Sequence, residues 1–147
     1  MSTSIRFFSA LLVLVALPAC SSSDRTCDAD GLARAAAGDN AIACGTVAIG
    51  ADRSAVDACV LHAFTAHQPF YARYDMQGID SKGARLEAGD ASGRVFLLTW
   101  DGDPSGGSQT HETVDQVECT SPNIDLTANN AGFTCASAMP NVRVCGG

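Results

Sequence analysis

The sequence predicts an α+β domain in which one main helix lies on an antiparallel sheet of four or more strands, stapled by disulfides. Three observations carry this. Val56, Cys59, Val60, Ala63, Phe64 and His67 recur at helical spacing on one face of Ser54–His67. Three strand-like segments follow with no helix between them, at Phe70–Gln77, Ala84–Ala88 and Val95–Trp100. Six cysteines, Cys27, Cys44, Cys59, Cys119, Cys135 and Cys145, lie beyond an export signal, and that even number implies three disulfides. A helix followed by a run of strands is the order of an α+β fold.

The chain divides into residues 1–19 as signal peptide, 20–26 as tether and 27–147 as one domain. Ser2–Arg6 is a short polar start with one cation, and Phe7–Leu17 is an apolar run too short to span a bilayer as a mature helix. Leu17-Pro18-Ala19-Cys20 then resembles the lipobox of bacterial lipoproteins, although Pro18 is a less usual occupant. The resemblance implies cleavage before Cys20 and attachment of diacylglycerol to it. A plain secreted protein cut near Ala16-Leu17-Pro18 is the alternative. Ser21–Arg25 is small and polar, as suits a tether. By resemblance to enterobacterial sorting, Ser21 in place of Asp favours the outer membrane, so the expected location is the cell envelope, with the lipid as the membrane partner.

The formal charge is −7, and removal of Arg6 leaves eight basic against sixteen acidic residues. That balance excludes nucleic acid as a partner and charge-driven adhesion to an anionic bilayer. It also serves ordinary solubility.

Asp28–Ala37 is alanine-rich and stops at Gly38, which predicts a short, lightly packed helix. Ala41–Ile49 fits a strand or an extended connector. In the main helix Ser54 is the expected cap, with Asp57 three residues on, and Gln68-Pro69 ends the element. Phe70, Ala72, Tyr74 and Met76 alternate with polar residues, as in a strand with one buried face. Gly78–Gly83 is a turn and Asp90–Gly93 a hairpin turn. Val95–Trp100 is apolar on both faces, as a central strand under the helix is. Phe64 and Leu97 are expected to share the core. Asp101–Gln109 is a loop, Thr113–Cys119 a strand or helix, and Ser121–Gly132 a turn-rich stretch. Gly132–Ser137 and Val142–Cys145 are expected to close as a hairpin.

Cys44 leads into the helix and Cys59 sits on its buried face, which makes them the preferred pair. A turn at Pro140 sets Cys135 opposite Cys145; Cys119 with either of them is an equal rival. The helix-on-sheet order resembles cystatin-type architecture in layout alone.

No catalytic motif is present: G-x-S-x-G, S-x-x-K and H-E-x-x-H are all missing. His62 and His67 are five apart and cannot form an i, i+4 metal pair; His67 fits a dipole-favoured helix end. His111-Glu112 has no recognisable partner. Asp101-Gly102-Asp103 resembles fragments of calcium loops, but turn chemistry explains it equally. No residue pattern calls for a cofactor. In an antiparallel meander, alternate connections emerge at one end. Any site is therefore expected on a rim of Asp80, Ser81, Lys82, Asp101, Asp103 and Ser105, with the Ser54 end of the helix nearby.

The mature region resembles small cysteine-rich lipoproteins of Gram-negative bacteria with high genomic G+C. Cys44-Gly45, the Cys59 helix ending at Pro69-Phe70, Gly78-Ile79-Asp80-Ser81 and Asp103-Pro104-Ser105-Gly106-Gly107 carry the resemblance. It implies a layout and an export route and carries over no catalytic residue. The expected function is a non-catalytic, lipid-anchored module that binds an envelope protein or a small ligand. The alternatives are an envelope hydrolase using loop carboxylates, or a calcium-binding module.

Overall fold

The computed structural model describes residues 26–79, 81–103, 111–125, 132–136 and 138–146. Two helices and a six-stranded, mostly antiparallel sheet with three disulfides form an α+β fold, in agreement with the sequence. Helix α1 is Ala29–Ala37; strand β1, Ile42–Val47; helix α2, Ser54–Thr65. Strands β2 (Phe70–Gln77), β3 (Lys82–Gly89), β4 (Val95–Asp101) and β5 (Thr113–Cys119) follow, then β6 (Pro122–Asp125), β7 (Gly132–Cys135) and β8 (Val142–Cys145).

The sheet runs β1-β2-β3-β4-β5-β8. The meander β2–β5 is antiparallel, with Tyr71 opposite Ala88, Leu86 opposite Leu98 and Leu98 opposite Gln116. β1 joins its edge in parallel to β2. Parallel neighbours need a crossover, and α2 supplies it.

Alternation along the strands splits the core between the two faces. On one face α1 lays Ala29, Ala33 and Ala37 over Ala84, Leu86, Ala88, Phe96, Leu98 and Val114. On the other, α2 lays Val56, Val60 and Ala63 over Phe70, Ala72 and Tyr74, with Phe64 and Leu97 in the same cluster, as expected. The second helix on the opposite face departs from the one-sided cystatin-type layout. α2 also lies over β1 and β2 rather than over the central strand β4.

The helix ends differ in detail from expectation. Ser54 is the first helical residue rather than the cap; Asp52 receives its backbone N–H at 3.0 Å and its hydroxyl at 2.9 Å. At the other end Gln68 N–H bonds the Ala63 carbonyl and His67 N–H bonds that of Phe64. This double closure places His67 in the left-handed region, φ 53°, where glycine is usual. His67 is therefore exposed and turns the chain into β2 instead of joining the buried stripe.

Cys44–Cys59 joins β1 to α2 as expected, and Cys119–Cys135 is one of the rival tail pairs. The third bridge, Cys27–Cys145, ties the start of the domain to β8. The hairpin pairing Cys135 with Cys145 does not form. β7 pairs with β6 and delivers Phe133 to the α2 face, where its ring lies 4.9 Å from Phe64 and 5.9 Å from Phe70. β8, with exposed Val142 and Val144, pairs with β5 at the sheet edge.

Candidate functional site

The end of the sheet reached by β2 and β4 gathers the segments that the meander argument places together. Gln77 pairs with Lys82, Gly83 with Asp101, and Gly102 N–H bonds the Lys82 carbonyl at 2.9 Å. Ser81, Lys82, Asp101 and Asp103 are thus neighbours at one end. Asp80 and Ser105, like Cys20, lie outside the described residues. Asp101 accepts the Asp103 backbone N–H at 3.0 Å, so this carboxylate closes its own turn. The start of α2 is at the same end, and beside it lies a cleft of about 350 Å³.

The walls of the cleft are Val47, Ala48, Ala51, Arg53, Tyr74, Met76, Arg85 and Glu87, from the β1–α2 connection, β2 and β3. Its polar side chains fall into two bonded groups, and Asp57 joins the first. Asp57, in the first turn of α2, takes Nε of Arg53 at 2.7 Å and Nη2 at 3.1 Å, a bidentate pair. It also accepts the Tyr74 hydroxyl at 3.0 Å, and the Arg53 guanidinium lies 4.6 Å above the Tyr74 ring. Burial, with the nearby Glu87 and Asp57 charges, raises the Tyr74 pKa, so its hydroxyl stays a donor.

Glu87 is 1% exposed. Its Oε1 accepts Phe133 N–H at 3.1 Å and meets Arg85 Nη2 at 3.0 Å, while Arg85 donates onward to the Phe133 carbonyl. Its Oε2 is buried and has no hydrogen-bond partner among the described residues. Burial pushes the Glu87 pKa up; Arg85 and the Phe133 N–H pull the other way without cancelling it. Gly132 is required beside it. Its φ is +145°, and a side-chain carbon there would overlap Glu87 Oε1 and crowd Arg85.

A second groove of about 380 Å³ opens at the same end, lined by Ala48, Ile49, Arg73, Asp75, Met76, Lys82, Gly83 and Trp100. Arg73 stacks over Trp100 at 5.1 Å and bonds Asp75 and Asp30.

The sequence reading missed Arg53, Asp57, Tyr74, Arg85 and Glu87 as a set. Asp57 had been assigned to helix capping and Tyr74 to the apolar stripe. The available signal was Arg85 and Glu87 at i, i+2 within a strand flanked by strand signals on both sides. Charged residues there face either water or a buried polar site, and the β6–β7 pair that covers them has no clear pattern. Among the described residues no group of three or more His, Cys, Asp or Glu side chains is placed to hold a metal ion. No helix among them is long and apolar enough to cross a membrane.

No family model matches the chain, and neither a curated protein nor a solved structure matches it.

Proposed function

We propose that this chain is a lipid-anchored protein of the bacterial cell envelope whose domain is a non-catalytic binding module, with a small polar ligand seated in the cleft between the start of α2 and strands β2 and β3. The observation that carries this reading is Glu87: a buried carboxyl with one oxygen that has no partner among the described residues, in the wall of a cleft also lined by Arg53, Tyr74 and Arg85. An unsatisfied buried acceptor costs about 1–3 kcal/mol, and a ligand N–H or O–H that reached it would recover part of that. The lipobox-like Leu17-Pro18-Ala19-Cys20 and three bridges typical of an oxidising compartment support the envelope location.

A thermal-shift screen of small amines, polyols and short peptides tests the site, with Glu87→Gln as comparator. A ligand present at about a hundred times its Kd stabilises the folded state by about 2.7 kcal/mol. The expected result is a compound that raises the wild-type Tm and loses most of that effect in E87Q. A compound that stabilises both proteins equally places the site elsewhere.

A further inference from the structure

We infer that the sheet end bearing Ile49, Met76 and Ile79 is the membrane-facing end of the protein and rests on the lipid surface. The inference depends on the lipid-anchored reading of Cys20 and adds to it an orientation and a contact surface.

Three large apolar side chains stand out at this end: Ile79 is 99% exposed, Ile49 51% and Met76 42%. Ile79 is in the β2–β3 turn, Met76 is near the end of β2, and Ile49 follows β1. Ile49 and Met76 line the same groove as Trp100. None of the three belongs to either core cluster. The other exposed large apolar residues, Ile42, Met139, Val142 and Val144, belong to β1, β8 and the segment before β8, and the most exposed of all, Ile79, is at this end. An exposed apolar cluster marks a contact.

The occupant follows from where the chain enters the domain. Cys27 N–H bonds Glu112 Oε2 at 2.6 Å, and the Trp100 indole N–H reaches the same oxygen at 3.4 Å. The first described residues therefore sit beside Trp100, at the end that carries the apolar tip. The Cys27–Cys145 bridge fixes them there. From Cys20 to Cys27 is seven residues, at most about 25 Å of extended chain. An acyl group on Cys20 inserted in a bilayer holds this end, and not the Asp90–Gly93 end, against the surface. On that short leash a few weakly inserting side chains suffice, because the tether has already removed most of the entropy of association. Trp100 is the chain's single tryptophan, and its amphipathic ring is suited to the headgroup level. Lys82 is the chain's single lysine and lies in the same rim, but Asp101, Asp103 and Glu112 outnumber it there. Contact is therefore with a neutral bilayer surface and is driven by the apolar residues.

Two tryptophan reporters in the full-length lipidated protein test this. Ile79→Trp marks the tip; Ala91→Trp marks the exposed hairpin turn at the opposite end. Each is reconstituted in phosphatidylcholine vesicles with plain chains or with chains brominated close to the headgroup. Both variants should float with the vesicles. In brominated lipid the added emission of I79W should fall about twofold or more, as for an indole at the interface, and that of A91W should not change. Unquenched I79W, or equal quenching of both reporters, in protein that floats overturns the orientation while leaving the anchor standing. Failure of the wild type to float, or flotation of Cys20→Ala to the same extent, overturns the anchor and with it the orientation.

Discussion

The two faces of the sheet are built from different materials. Under α1 the interface is small and apolar at its centre, where three alanines of the helix meet Ala84, Leu86 and Ala88 of β3 and the larger Leu98 and Phe96 of β4, with the Arg73–Asp30 ion pair at its margin. Under α2 the interface is aromatic where Phe64, Phe70 and Phe133 meet, and polar beside them, where Asp57 and Glu87 are buried with their arginines. The small alanine side chains let α1 approach the sheet closely. On the α2 face the cleft lies between the β1–α2 connection and strands β2 and β3, while β7 closes directly onto Glu87 and Arg85 through the Phe133 backbone. One face excludes water with small apolar side chains; the other buries two carboxyls.

The largest effect should come from the link between the two ends of the domain. Cys27–Cys145 closes a separation of 118 residues, Cys44–Cys59 one of 15. On the chain-entropy account the longer loop is worth more, about 4.7 kcal/mol against about 3. Replacing both Cys27 and Cys145 by Ala should therefore lower the denaturant midpoint further than the same change at Cys44 and Cys59. The reverse order would show that β8 and the α1 end are held chiefly by packing.

The two faces should also fail in opposite ways. Phe70 is 1% exposed, stacked with Phe133 and set against Gly89. Phe70→Ala should cost about 3–5 kcal/mol through the cavity it leaves. On the other face Ala33 is fully buried, so added volume does the damage: Ala33→Leu should cost about 1–3 kcal/mol by overpacking. Equilibrium unfolding of both variants reads this directly. A tolerated Ala33→Leu would mean that α1 sits loosely and that the contrast between the faces is false.

That contrast explains how much could be read in advance. The helix from Ser54, the meander and Cys44–Cys59 were legible because each is signalled locally, by periodicity of 3.6 or 2 or by a cysteine on a helix face. So was the gathering of Ser81, Lys82, Asp101 and Asp103 at one end, since alternate connections of a meander share an end. The parallel β1, the opposite-face packing of α1 and the Cys27–Cys145 bridge were not legible. Each depends on contacts between segments far apart in sequence, with no pattern in either partner. Ala29, Ala33 and Ala37 predicted a helix but could not say which face it covers. Pro122–Asp125 and Gly132–Cys135 are too short and polar for alternation to be read. Phe133, the residue that seals Glu87, therefore went unnoticed. Glu87 was visible as a charge in a strand, but its burial is created by that distant pair.

The burial of Glu87 is tested most directly by a carbon-detected NMR titration of its side-chain carboxyl, assigned with Glu87→Gln. Burial places its folded-state pKa above the unfolded value, so the native protein holds this proton longer than the unfolded chain does. The Glu87 contribution to stability is then fully present below the unfolded carboxyl value, about 4.3, and is lost as pH rises through the folded one. The predicted result is a Glu87 midpoint above those of the exposed carboxyls, with a fall in wild-type stability over that interval that E87Q lacks. A Glu87 that titrates together with the exposed carboxyls, and an E87Q stability profile parallel to wild type, would contradict the claim that the α2 face keeps a carboxyl out of water in the wall of its cleft.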